Sequence, residues 1–238
     1  MRRWNGWVWT CAAVAMLAGC GGGGDDTGNS GFIPPNDDFN VAQAWHNLLT
    51  TNRGWTLTGS GTDGRIYDIT VGTAVGPTTV FPVTGANTAR SDVTLTTATT
   101  GFPTASALQQ IHFDAATDRI VGIRTSVNQA AATCDLATST SALPTTVKVG
   151  TSGAQATLTE LNGCAGSSAA VGTITITWSL EFEAGTTYFC SNTTERNPGG
   201  AVLSAEGDCL QMSPDGTLGA RARVTVEQNG VRVVAHTP

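Results

Sequence analysis

Thr173-Ile174-Thr175-Ile176-Thr177-Trp178-Ser179-Leu180-Glu181-Phe182-Glu183 is the stretch that decides the fold. Ile174, Ile176, Trp178, Leu180 and Phe182 fall on one side, and threonine, serine and glutamate fall on the other. Strict alternation with a period of two marks an antiparallel strand with one dry face and one wet face. Threonine on the wet side fits, because β-branched side chains suit a pleated surface.

The same period extends in both directions. Trp55 and Leu57 alternate with threonines, as do Val93 and Leu95. Tyr67, Ile69 and Val71 alternate with Asp68 and Thr70, and Ile111 and Phe113 flank an outward His112. Turn formers stand between the runs: Thr62-Asp63-Gly64, Asp114 to Asp118, Ala184-Gly185, Pro214-Asp215-Gly216 and Asn229-Gly230. Asn-Gly is a preferred two-residue hairpin turn and joins Ala220–Val226 to Val231–Ala235. About ten to twelve strands are expected. The class is all-β, an antiparallel hairpin-connected meander closing as a barrel or folding as a two-sheet sandwich, since a wide open sheet leaves exposed edges.

One helix is expected, over residues 37–51, capped by Asn36, Asp37 or Asp38. Phe39, Ala42, Trp45 and Leu49, with Val41 and Leu48, form its apolar stripe. This stripe should pack on the edge or mouth of the sheet. Residues 126–145 and 191–202 lack a clear period and read as two long loops, each beside a cysteine.

The N-terminus has the order of an export signal. Arg2 and Arg3 precede a short apolar run from Trp7 to Leu17, and Leu17-Ala18-Gly19-Cys20 follows. That run is too short for a transmembrane helix, which needs about 20 apolar residues. Leu17-Ala18-Gly19-Cys20 resembles the lipobox of bacterial lipoproteins. The resemblance implies cleavage after Gly19, diacylglycerol on the Cys20 thiol, and attachment of the chain to a lipid bilayer through the acylated cysteine. Gly21 stands where aspartate often marks inner-membrane retention, so the resemblance implies the outer membrane. Trp4-Asn5-Gly6 does not continue a twin-arginine pattern, which leaves ordinary secretion. Residues 1–19 are thus read as a signal peptide, 20–36 as a flexible Gly/Asp/Pro tether, and 37–238 as a single β-rich domain.

Twelve basic against eighteen acidic side chains give a net charge of −6, and Arg2 and Arg3 leave with the signal. This balance argues against nucleic-acid binding. Beyond Cys11 and Cys20 stand Cys134, Cys164, Cys190 and Cys209. An even number in an exported chain points to two disulfides. Consecutive strands usually lie side by side, which favours Cys134 with Cys164 and Cys190 with Cys209. No C-x-x-C spacing suggests zinc.

Catalytic patterns are scarce. Gly59-Ser60-Gly61-Thr62-Asp63-Gly64 matches G-x-G-x-x-G, but a strand follows where a nucleotide site needs a helix. There is no G-x-S-x-G elbow, H-E-x-x-H or EF-hand loop, and His46, His112 and His236 read as surface or packing residues. Glu181 with Glu183, and Asp63 with Asp68, are the carboxylate pairs a glycoside hydrolase would use. Trp45, Trp55, Tyr67, Trp178 and Tyr188 are the aromatic candidates for a binding platform, with Trp55, Tyr67 and Trp178 on expected core faces. The leading expectation is a non-catalytic envelope lipoprotein, with no cofactor, metal or catalytic residue and an unspecified envelope protein or glycan partner. A carrier of a small apolar ligand inside a barrel, with the helix over its mouth, is the second expectation. A carboxylate-dependent envelope hydrolase is the third.

Overall fold

A computed structural model describes residues 34–238. Cys20 with its lipobox, the signal residues 1–19 and residues 20–33 of the tether lie outside the described residues. The chain runs through α1 (Val41–Thr50) and then β1 (Arg53–Gly61), β2 (Ile66–Val80), β3 (Asn87–Thr99), β4 (Ala105–Phe113), β5 (Ile120–Val127) and β6 (Thr133–Thr140). It continues through β7 (Ser152–Leu161), β8 (Ala170–Glu183), β9 (Thr186–Arg196), β10 (Val202–Met212), β11 (Leu218–Gln228) and β12 (Val231–His236).

Each strand pairs antiparallel with the next, and β12 returns to β1, so the sheet is a closed barrel rather than a sandwich. Closure removes the exposed edges. The seam runs from Thr58 opposite His236 to Gly61 opposite Val233. It requires Gly59: a β-carbon there would overlap the Val234 carbonyl oxygen and the Ala235 Cα. The G-x-G-x-x-G pattern therefore belongs to the seam and the β1–β2 hairpin.

Alternation places Ile176, Trp178 and Leu180 of β8 inside, alongside Trp55, Leu57, Ile111, Phe189, Leu210 and Val224. The outward rows of β8 keep threonine, serine and glutamate. The outer rows of the wall are thus polar, unlike the apolar outer band of a transmembrane barrel, and the apolar core fills the plugged part of the interior. No described helix is long and apolar enough to cross a membrane.

The helix is shorter than its sequence suggests. Phe39 forms a two-way backbone bridge with Val147, and the Asn40 amide donates to the Pro214 carbonyl. These contacts hold residues 39 and 40 outside the helix, so Asn40 becomes the cap, its Oδ1 accepting from the Gln43 amide at 3.0 Å. Val41, Ala44, Trp45 and Leu49 form the buried side, with Ala44 in the place expected of Ala42. The Ala42 amide donates to Pro144, Trp45 Nε1 to the Asp118 carbonyl and Asn47 Nδ2 to the Gly216 carbonyl. These partners sit on the β6–β7, β4–β5 and β10–β11 connections, which share one end of the barrel. The helix is therefore a plug in that mouth.

Both expected long loops are corrected. Residues 133–140 are β6, and residues 191–196 belong to β9. Their inward residues, Asp135 and Ala137 on one strand and Ser191, Thr193 and Glu195 on the other, are small or hydrophilic, and a bulge after Ala137 turns Ser139 outward opposite Thr157. The apolar signal vanishes, while ladders on both sides hold the strands. Cys134 is bonded to Cys164, and Cys190 to Cys209. The second bridge joins residues directly opposite one another on β9 and β10, inside the ladder rather than on a loop.

Candidate functional site

Inside the barrel, beneath the plug, lies a cavity of about 100 Å³. Trp45 and Leu48 of α1 roof it, and Trp55, Ile176, Phe189 and Val224 are among its walls. Trp55 Nε1 donates to the Gly219 carbonyl at 3.2 Å, and Trp45 Nε1 to the Asp118 carbonyl at 2.9 Å. Both indole nitrogens are thus occupied, and the rings present apolar surface to the space. Away from the plug, Gln109, Ser191, Thr193 and Asp208 complete the lining. The space is apolar at one end and polar toward the other.

Strand parity carries this polarity on to the far mouth. Leu210 is in the core, so Asp208, Glu206 and Ser204 of β10 also face the lumen. Glu206 stands opposite Thr193 and Ser204 opposite Glu195, both inward on β9. Asp135 of β6 pairs with Glu160 of β7, on the same inner face as Ile123. Asp135, Glu160, Glu195, Glu206 and Asp208 therefore line one side of the lumen, β6 to β10.

Burial raises Asp208 to about 6, and burial together with the Asp208 charge raises Glu206 to about 8. Asp135 is pushed up to about 7 by burial and then by Glu160 and Glu195. Glu160 is raised by burial and by Glu195. Ser204 Oγ donates to Glu195 at 3.2 Å. Glu195, Ser204 and Glu206 keep partial exposure although they point inward. Solvent thus reaches the lumen from this mouth.

None of these carboxylates was singled out from sequence. The signal was there: Met212 and Leu210 are apolar, and stepping back by two reaches Asp208, Glu206 and Ser204 on the same face. The carboxylate pairs that were singled out are engaged elsewhere. Glu181 and Glu183 lie on the outer face, paired with Arg223. Asp63 accepts from Tyr67 Oη at 2.8 Å, and Asp68 from Thr58 at 2.9 Å.

The histidines also resolve. His46 Nδ1 lies 2.9 Å from Asp118 Oδ2 at the rim of the plug. His112 faces outward, as expected, but is only 2 % exposed rather than wet. The β2–β3 connection folds Phe81 over it, ring to ring at 4.9 Å, and Thr88 Oγ1 bonds its Nδ1 at 2.9 Å. Burial, with Arg90 and Arg124 nearby, lowers its pKa. Trp55 and Trp178 are buried core residues, and Tyr67 is half-buried against the core. Tyr188 is buried on the outer face beside the Cys190–Cys209 bridge. Glu181, Cys190 and Cys209 converge there, but the bonded sulfurs are not free to act as metal ligands.

A second space of about 90 Å³ lies beside the helix, where the Gln155 side-chain amide is buried without a partner. Its size and polarity suit ordered water. Comparison with known proteins returns nothing: no family model, no curated protein and no solved structure matches this chain.

Proposed function

We propose that this chain is an acylated lipoprotein of the bacterial envelope that holds a small, mainly apolar ligand in its barrel without transforming it. The cavity beneath α1 carries this reading. Its volume is on the scale of one aromatic ring; an engineered cavity of about 150 Å³ binds benzene. Apolar walls with a few polar groups at one end are what small-molecule sites commonly offer.

The anchor rests on the Leu17-Ala18-Gly19-Cys20 resemblance and fits the geometry. Phe39 and Asn40 enter at the plugged mouth, bound to Val147 and Pro214. A bilayer-attached N-terminus approaches from that end, leaving the acidic mouth accessible. A stable anchor requires two or more acyl chains, and the polar exterior needs no lipid contact of its own.

Two measurements test the reading. Mass spectrometry of the membrane fraction should find a chain beginning at acylated Cys20; an unmodified Cys20 in a freely soluble chain refutes the anchor. Calorimetric titration with benzyl alcohol should show one saturable site, with a change in Trp45 and Trp55 fluorescence. Absence of binding by both benzyl alcohol and benzylamine refutes the carrier.

A further inference from the structure

We propose that the ligand carries a cationic nitrogen: a small primary ammonium whose apolar body sits against Trp45 and Trp55 and whose charge rests on Asp208, with Glu206 next along the lumen. This deepens the carrier reading and rests on it.

The cavity itself is the first observation. Its walls are apolar or neutral except for Asp208. A neutral hydrocarbon would use the walls and leave that half-buried carboxylate without a counter-charge, whereas an ammonium would satisfy both ends.

The one-sided field is the second. Asp135, Glu160, Glu195 and Glu206 face the same lumen from β6, β7, β9 and β10. The basic residues of the barrel wall point outward: Arg90, Arg124, Arg196, Arg221, Arg223 and Arg232. Arg53 is held at the plugged mouth, donating to the Leu218 carbonyl at 2.7 Å. A lumen lined by one sign of charge concentrates the opposite sign.

Binding carries a proton balance. Burial raises both carboxylates and their mutual repulsion holds back the second ionisation, so near pH 7 the free protein keeps a proton on the pair. An ammonium arriving at the pair completes its ionisation, and the proton leaves for solvent.

The test is calorimetric titration of the purified protein at about pH 7 with benzylamine and with benzyl alcohol, which shares its ring and lacks its charge. The expected result is binding of benzylammonium about tenfold tighter or better, the scale of a charge-assisted hydrogen bond. The heat should vary with buffer ionisation enthalpy, reporting the released proton. In Asp208→Asn the preference for benzylammonium over benzyl alcohol should disappear. In Glu206→Gln proton release should fall. Equal affinities in the wild type, or a preference untouched by Asp208→Asn, overturn the cation and leave the carrier standing. Binding of neither probe overturns both. Saturable calcium binding that excludes benzylammonium overturns the organic ligand in favour of a metal ion.

Discussion

Glu206 and Asp208 stand two residues apart on β10 and share the lumen face, so two half-buried carboxylates titrate against each other. Raised folded-state values, about 8 and about 6 against an ordinary 4.5 and 3.8, mean the folded state holds protons that the unfolded state has lost. Stability therefore falls as pH rises through this window. Asp135 and Glu160 act in the same sense. His112 acts oppositely, since its lowered pKa costs stability as pH drops below 6.5. Glu206→Gln isolates one contribution: it should match the wild type near pH 5 and exceed it by about 1–2 kcal/mol near pH 8.5. Urea unfolding at both pH values decides; parallel wild-type and variant curves contradict the burial of Glu206.

The barrel's seam is the next weak point. Any side chain at Gly59 meets the backbone of Val234 and Ala235, atoms that yield only if β1 and β12 separate. Gly59→Val should cost about 2–4 kcal/mol. Hydrogen exchange should accelerate first at residues 58–61 and 233–236, the paired segment of the seam. A variant with wild-type stability and protection shows that the seam does not need this close approach.

How much of this was legible depends on what each face of a strand must satisfy. β8 was readable because one face meets an apolar core and the other meets water. β6 and the second half of β9 are not, because Asp135, Thr193 and Glu195 point into a part of the lumen that is itself polar, a bulge in β6 shifts the period at Ser139, and both faces look alike. The loss of pattern coincides with the candidate site. Alternation sets His112 on the outer face, and no local signal announces that Phe81 folds back over it. The helix start was displaced by Val147 and Pro214, partners remote in sequence, which outcompete local caps at Asn36 to Asp38.

Trp45 ties the plug to the barrel by its bond to the Asp118 carbonyl, and Gly216 lets the β10–β11 turn come against the helix. Gly216 has φ +87°, and a β-carbon there would lie 2.6 Å from Gln43 Cβ and 2.8 Å from Ala44 N. Trp45→Phe keeps the apolar roof and drops one hydrogen bond, costing about 1 kcal/mol. Trp45→Ala removes the roof and should cost about 3–5 kcal/mol. It should also speed dissociation of benzyl alcohol, measured by NMR exchange, more than Trp45→Phe does. Equal dissociation rates in the two variants would show that the helix does not gate the cavity.

The two disulfides should part company under mild reduction, because thiol exchange needs access to sulfur. Cys190 and Cys209 are 0 % and 2 % exposed, covered by Tyr188 and by Arg223, whose guanidinium is held over them by Glu181 and Glu183. Cys164 is partly exposed on the 162–169 connection. With dithiothreitol under native conditions, Cys134–Cys164 should open first, followed by alkylation and mass spectrometry. Cys190–Cys209 should wait for unfolding. Each bridge closes a loop worth about 3 kcal/mol on the chain-entropy model, so reducing the first alone should lower stability by about that much while leaving the barrel closed. Opening of both at one rate would mean that the Arg223 cover does not shield the second bridge.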